Sequence, residues 1–98
     1  MAEVRWTNQA VDDLEAIVDF IAADSPQYAR LLAINILEAV EGLMRFPESG
    51  RMVPETRTPE IREILLGSYR IIYRAKTESV EVLAVHHGAR LLNPRRLA

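Results

Sequence analysis

Hydrophobic residues recur at every third or fourth position in the first quarter of the chain. The spacing predicts an amphipathic helix that begins after Thr7 and Asn8, which can cap its first turn, and ends near Asp24. The apolar positions of this stripe are Val11, Leu14, Val18 and Ile21. Before the helix, residues 2–6 alternate short and long side chains, a pattern that favours a first strand.

A second helix is predicted directly after the first. Ser25 belongs to the residue types that cap helix N-termini, and Pro26 is suited to the first helical position. Apolar residues then follow at helical spacing until Phe46 and Pro47, where the pattern stops; they are Tyr28, Leu32, Ile36, Val40 and Leu43. Since about two residues join the helices, we expect an antiparallel helical hairpin.

The second half of the chain has the period-two pattern of strands. Residues 48–59 are rich in proline and polar side chains and predict a loop that leads into a sheet. Three apolar runs follow, separated by turn residues; the runs are residues 61–66, 69–74 and 80–85. Two successive hairpins give an antiparallel meander. The predicted fold class is α+β with the order βααβββ, an antiparallel sheet packed on an N-terminal helical hairpin.

The composition limits the classes of protein to be considered. We expect residues 1–98 to form a single domain, because 98 residues with 49% hydrophobic content can build one core. The chain has no cysteine, which excludes disulfides, thiolate zinc sites and a cysteine nucleophile and is typical of a reducing compartment. An apolar leader and a membrane-length apolar run are both missing, so we expect a cytoplasmic protein without membrane contact.

Charge is distributed unevenly along the chain. Residues 1–50 carry nine acidic residues and three arginines, a net charge of −6, whereas residues 51–98 carry nine basic and five acidic residues, a net charge of +4. All the basic residues except Lys76 are arginine, whose planar fork of donors suits phosphate and carboxylate groups. The basic half ends in a tail, residues 88–98, in which Pro94 disfavours a long helix. Two interpretations of this asymmetry stay open: a charged partner, or the uneven charge distribution that many ordinary proteins have.

Most side chains that could catalyse a reaction or bind a metal have a simpler structural explanation. His86 and His87 are neighbours on a predicted strand and point to opposite faces, so they do not chelate one metal ion. We expect one of the two to pack against the core and the other to face outward. Ser25 serves as a helix cap, and Asp12 and Asp13 suit the positive end of a helix dipole. We therefore expect no metal site and no cofactor.

Four arginines remain as candidate binding residues. Arg70 and Arg74 share one face of their strand, about 13 Å apart, and Ile72 lies between them on that face. Arg62 lies on the preceding run, and Arg90 follows the last one. In a meander these arginines can cluster on or beside the sheet face that the helices leave open. Two interpretations stay open: a solvated face whose charges discourage aggregation, or a surface that binds phosphate or carboxylate groups.

A series of short motifs spans the chain nearly from end to end. They are VRW at 4–6, AVDDL at 10–14, IA at 21–22, DSP at 24–26, PESGR at 47–51, PE at 54–55, REI at 62–64, YRIIYR at 69–74, VLAVHH at 82–87 and Arg90. In order and spacing they resemble the ParE/RelE toxin superfamily of type II toxin–antitoxin modules, and its ParE branch more closely. The fold implied by this resemblance is βααβββ, in agreement with the hydrophobic pattern.

The resemblance implies a toxin with one of two modes of action. ParE-like members poison DNA gyrase on cleaved DNA and have no established catalytic residues. RelE-like members are ribosome-dependent mRNA endonucleases, and the positions of this chain that match their catalytic residues are Arg62, Arg70, His87 and Arg90. RelE-like enzymes usually have a C-terminal tyrosine, whereas this chain has no aromatic residue after Tyr73. We therefore favour a gyrase inhibitor of the plasmid-stabilisation type, with a non-toxic partner-binding protein as a third alternative.

The resemblance also implies a cognate antitoxin, whose disordered C-terminal segment folds on the toxin. An acidic, amphipathic segment suits the arginine-rich half of the chain. The predicted partner-binding residues are Arg51, Arg62, Arg70, Arg74 and Arg90. The assemblies compatible with such a partner are a homodimer or a heterotetramer with the antitoxin.

Overall fold

The computed structural model describes residues 2–97, without the side chain of Arg96. Ala98, the last residue of the predicted basic tail, lies outside the described residues. The elements in chain order are β1 (Glu3–Trp6), α1 (Asn8–Ala22), α2 (Pro26–Glu41), a 3-10 turn (Gly42–Met44), β2 (Arg51–Met52), β3 (Ile61–Leu66), β4 (Tyr69–Ala75), β5 (Ser79–His87) and a second 3-10 turn (Pro94–Leu97).

Both helices begin at the capping residues that the sequence predicts. The Thr7 hydroxyl accepts a hydrogen bond from the Ala10 backbone N–H at 3.1 Å, and the Ser25 hydroxyl accepts one from the Tyr28 N–H at 3.2 Å. The helices pack as the expected antiparallel hairpin on one face of the sheet. Within residues 2–97, neither helix has the length and apolar content needed to cross a membrane.

The five strands form one sheet in the order β1-β5-β4-β3-β2. The meander β3-β4-β5 is antiparallel, as predicted, and the α+β fold class is confirmed. Two features differ from the expected order. β1 pairs in parallel with β5, so the sheet is mixed. The predicted loop contains the two-residue strand β2, which pairs with β3.

A β-bulge in β5 fixes the helical hairpin to the sheet. Ile72 pairs with Ala84 and Tyr73 pairs with Val82, so Leu83 is the extra residue of β5. The Thr7 hydroxyl donates a hydrogen bond to the Leu83 carbonyl at 3.1 Å, one residue before α1 begins. From within α1, the Asp13 carboxylate accepts from the Val85 N–H at 3.1 Å.

The main core lies between the helical hairpin and the sheet. Its buried residues are Ala10, Leu32, Ile36, Val40, Ile71, Val82 and Val85. Most of the apolar stripe predicted for α2 therefore faces the sheet. Tyr28 is the exception, since it is 56% exposed on the first turn of the helix, and its assignment to the stripe is wrong.

A second, smaller core covers the opposite face of the sheet. It consists of Val53, Ile61, Ile72, Leu83, Ala84 and Leu97. The bulge places Leu83 and Ala84 on this same face, and the C-terminal 3-10 turn carries the buried Leu97 onto it. This core explains why Ile72 lies between two arginines on the strand, since its side chain is packed under the C-terminal segment rather than exposed.

Candidate functional site

A buried carboxylate binds two arginines on the sheet face opposite the helices. The side chain of Glu63 is 0% exposed. Arg51 donates from Nε to Glu63 Oε2 at 2.7 Å, and Arg70 donates from Nε to Oε1 at 2.5 Å. Strand pairing produces this arrangement, because Arg51 of β2 is directly opposite Glu63 of β3, and β4 is the next strand. The negative charge of Glu63 is thus compensated by two guanidinium groups.

Arg70 binds a second carboxylate that comes from a loop. Its Nη1 and Nη2 donate to the two oxygens of Glu55, each at 2.8 Å. This is the bidentate geometry in which the guanidinium fork matches a carboxylate. The hydrogen bond from Arg70 lowers the pKa of Glu55 to about 2, and the same bond raises the pKa of Arg70. Nε, Nη1 and Nη2 of Arg70 therefore all donate to carboxylates. The Arg70 side chain is only 11% exposed.

Glu63 is a site residue that the sequence analysis missed. It lies at the centre of β3 and shares a face with Ile61, a buried residue of the second core. An acidic residue at a strand position aligned with apolar neighbours indicates a buried and compensated charge. The alternation of residues 61–65, which places Glu63 on the same strand face as Ile61 and Leu65, is therefore the sequence signal for this site residue.

The remaining candidate arginines have separate acceptors. Arg62 donates from Nη1 to the carbonyl oxygens of Gly50, at 2.9 Å, and Glu48, at 3.3 Å. Arg74 pairs with Glu60, and Arg90 is exposed. The structure therefore brings Arg51 and Arg70 together on Glu63 and directs Arg62, Arg74 and Arg90 to other partners or to solvent.

A groove of about 520 Å³ lies beside the Arg70 pair, next to the turn between β3 and β4. Its lining includes Arg51, Glu55, Arg70, Tyr69 and His87, together with exposed Leu65 and the backbone of two turns. The His87 ring contacts Tyr69 edge to face with a centroid distance of 5.3 Å.

Neither histidine is fully buried, and both are half-buried. Of the two, His87 contacts Tyr69, a residue that packs against the main core, so the expected packing against the core occurs through Tyr69. His87 accepts at Nδ1 from the Ala89 N–H at 3.1 Å, and the Nε2 of His86 lies 3.0 Å from the Arg90 carbonyl oxygen. Both rings are therefore held by the backbone of the chain that follows β5.

Comparison with known proteins identifies the class to which this chain belongs. The family model described as the ParE toxin of type II toxin–antitoxin system, parDE, matches residues 4–92 of this chain. The chain therefore belongs to the ParE toxin family, within the ParE/RelE superfamily, and is a toxin of the type II toxin–antitoxin class.

Individual relatives agree with this assignment. The chain is 36% identical over 92 residues to Toxin RelE2 of Caulobacter vibrioides, covering 93% of this chain and 100% of the relative. It is 36% identical over 87 residues to Putative toxin Y4kP of Sinorhizobium fredii, covering 87% and 86%. Among solved structures, a chain of the chromosomal ParDE TA system from P. aeruginosa matches with a TM-score of 0.72 and 26% identity, covering 89% of this chain and 96% of the other.

Proposed function

We propose that this toxin acts in the cytoplasm as an inhibitor of DNA gyrase and has no catalytic residues of its own. The observation that carries the proposal is the state of Arg70, the arginine that matches the superfamily's strand position. Arg70 is bound to Glu55 and Glu63 together. A nuclease arginine must offer its donors to a phosphate in the transition state, whereas here Glu63 holds the Nε and Glu55 must first leave before Nη1 and Nη2 are available. A poison that acts by binding does not need a free arginine at this position.

The proposal includes an antitoxin that neutralises the toxin by folding on its surface. The exposed side of α2 carries three large apolar residues, each about half exposed: Leu31, Ile34 and Leu37. An amphipathic part of the antitoxin can bury them, and an acidic part that continues around the edge of the sheet can pair with the arginines on the opposite face. We expect the contact to include Arg62, Arg70 or Arg74. A toxin–antitoxin structure in which all three stay outside the interface would contradict this part.

Cleavage of mRNA on the ribosome is a second candidate, favoured by one observation. Arg70, His87 and Tyr69 line the same groove, and histidine is the side chain that most often acts as a general acid or base. Tyr69 could thus replace the tyrosine that RelE-like enzymes usually have near the C-terminus. The other two arginines of the RelE-like set, Arg62 and Arg90, do not line this groove.

Two assays on the purified toxin separate these functions. We expect inhibition of gyrase supercoiling with accumulation of cleaved DNA, and intact mRNA in a ribosome-programmed cleavage assay. Codon-positioned mRNA cleavage with unaffected gyrase would reverse the assignment. If the induced protein does not slow cell growth and both assays are negative, the chain is a non-toxic partner-binding member of its family.

The His87→Ala variant also distinguishes a gyrase poison from a ribonuclease. A gyrase poison should retain its toxicity without this imidazole, since it needs no general acid or base. A ribonuclease that uses His87 should lose about 10²–10⁴-fold in cleavage rate.

A further inference from the structure

The segment between β2 and β3 lies beside Arg70 and Arg74 of β4. Its base is closed by the hydrogen bond from the Val53 N–H to the Ile61 carbonyl, 3.1 Å. Between these two points, Glu55 pairs with Arg70 and Glu60 pairs with Arg74. We call residues 54–60 the acidic loop.

The two carboxylates on Arg70 differ in how firmly the fold holds them. Glu63 is buried in the middle of β3, and Arg51 also binds it, so its position is fixed. Glu55 is 35% exposed and belongs to the acidic loop. An ion pair in contact with solvent contributes little net free energy, so another carboxylate can compete for it.

Removal of Glu55 would leave Arg70 oriented. The Nε of Arg70 stays bound to Glu63, and the groups released are Nη1 and Nη2, the two donors that bind both oxygens of one carboxylate. The guanidinium would then present a preorganised fork to the groove. Such a fork loses little side-chain entropy when a ligand binds.

The groove beside the fork has room for the residues that accompany a carboxylate in a peptide. Its volume is about 520 Å³, and Leu65, 53% exposed, and Pro54 give it an apolar side. Gly67 and Gly88 line it as well. An acidic residue next to an apolar residue is complementary to these walls.

We propose that Arg70 and this groove form a binding site for an acidic side chain of a partner peptide, and that Glu55 of the acidic loop occupies the site in the free toxin. The occupant of the site in the free toxin is itself a carboxylate in bidentate geometry, so the site has the shape that a carboxylate ligand needs. Binding then requires the acidic loop to release Arg70. The inference rests on the proposed function in one respect, since the antitoxin is the expected source of the peptide.

The test is a fluorescence anisotropy titration of the intact toxin with fluorescein-labelled hexaglutamate. We expect Glu55→Gln to bind the probe about tenfold more tightly than the unmodified toxin, as expected for a bidentate charge-assisted pair. Glu60→Gln is the matched control, because it lies on the same loop and makes the same change in charge. It should change the affinity less than twofold. In the Glu55→Gln background, Arg70→Lys keeps the charge but not the fork and should abolish the gain.

Three results would overturn the inference. Unchanged affinity in Glu55→Gln would show that the loop does not compete, and equal gains in Glu55→Gln and Glu60→Gln would show only a general charge effect. A labelled hexathymidylate that gains as much as hexaglutamate would assign the site to phosphate. Circular dichroism and thermal unfolding of each variant confirm that the fold is retained. If the unmodified toxin poisons gyrase and is neutralised by its antitoxin while Glu55→Gln shows no gain, this inference fails and the proposed function stands.

Discussion

Ile71 and Ile72 are neighbours on β4, both are fully buried, and they belong to different cores. Ile71 faces the helical hairpin, whose apolar stripes cover one side of the sheet. Ile72 faces the opposite side, where residues of the bulge, a loop and the C-terminal turn cover it in a smaller cluster. The same sheet face also carries the buried pair of Glu63 and Arg70. The face under the helices thus carries the main apolar core, whereas the opposite face combines a small core with an ion pair.

The difference in packing between the two sheet faces can be tested most directly by truncating the two isoleucines in turn. We expect Ile71→Ala to lower the free energy of unfolding by about 3–4 kcal/mol, as for buried large-to-small changes with a cavity that cannot collapse. Ile72→Ala should cost about 2–3 kcal/mol, because the C-terminal turn that covers it can settle into the space. Urea unfolding followed by circular dichroism measures both values. An equal or larger loss for Ile72→Ala would show that the second core is as rigid as the first.

The charged part of the second face can be tested at its buried carboxylate. We expect Glu63→Ala to lower the free energy of unfolding by about 3 kcal/mol, since it removes one of the two carboxylates of Arg70, whose side chain is only 11% exposed. Glu55→Ala should cost about 1 kcal/mol or less, because Glu55 is part of an exposed loop. The same urea experiment compares the two. Similar losses would mean that Glu55 is as much a part of the fold as Glu63.

The two faces also differ in how far the sequence predicts them. The helical caps, the stripe of α2 and the meander follow from local patterns, so the helix-covered face could be predicted. β2 is only two residues long and has no measurable period, and β1 pairs with a strand at the other end of the chain. The second core depends on Leu97, which follows a proline in a tail without a periodic pattern. Long-range packing, not local propensity, decides these features.

The candidate site was predicted by residue type but not by arrangement. The sequence identifies Arg51 and Arg70 as candidates, since an arginine-rich sheet face suggests anion binding. It does not show that Glu55 and Glu63 bind them, because these contacts join a loop and three strands whose register only the folded chain defines. A net positive half of the chain therefore contains an arginine whose charge is already compensated.

Gly50, the residue before β2, packs closely against β3 and β4. Gly50 donates its N–H to the Tyr73 hydroxyl at 2.9 Å. A Cβ at this position would lie 2.6 Å from the Glu63 carbonyl oxygen and 2.7 Å from the Tyr73 hydroxyl. We expect Gly50→Ala to cost about 2 kcal/mol of unfolding free energy, because backbone must move to accept the methyl group. Thermal unfolding is a sufficient measurement.

Gly42→Ala is the matched control for that substitution. A Cβ at Gly42 meets nothing within 4 Å, and the backbone φ of −60° suits any residue. We expect a change within about 0.5 kcal/mol. A loss at Gly42 equal to that at Gly50 would indicate that the cost comes from the loss of glycine in general and not from the contact with Tyr73.

The pair formed by Glu55 and Arg70 should also make the stability of the fold sensitive to acid. The pKa of Glu55 is lowered from 4.5 to about 2 in the folded protein by the hydrogen bond from Arg70. A carboxyl group whose pKa is depressed by folding stabilises the fold above its unfolded pKa, and this contribution disappears as the pH falls from about 5 to about 2. Because a third of the side chain is exposed, we expect about 1 kcal/mol, less than the shift alone implies.

Unfolding free energies at pH 7 and pH 3 should therefore differ less in Glu55→Gln than in the unmodified protein. Glu60→Gln makes the same change in charge and controls for the net charge of the chain. A Glu55→Gln variant that keeps the full pH dependence would place the acid-sensitive group elsewhere on the sheet.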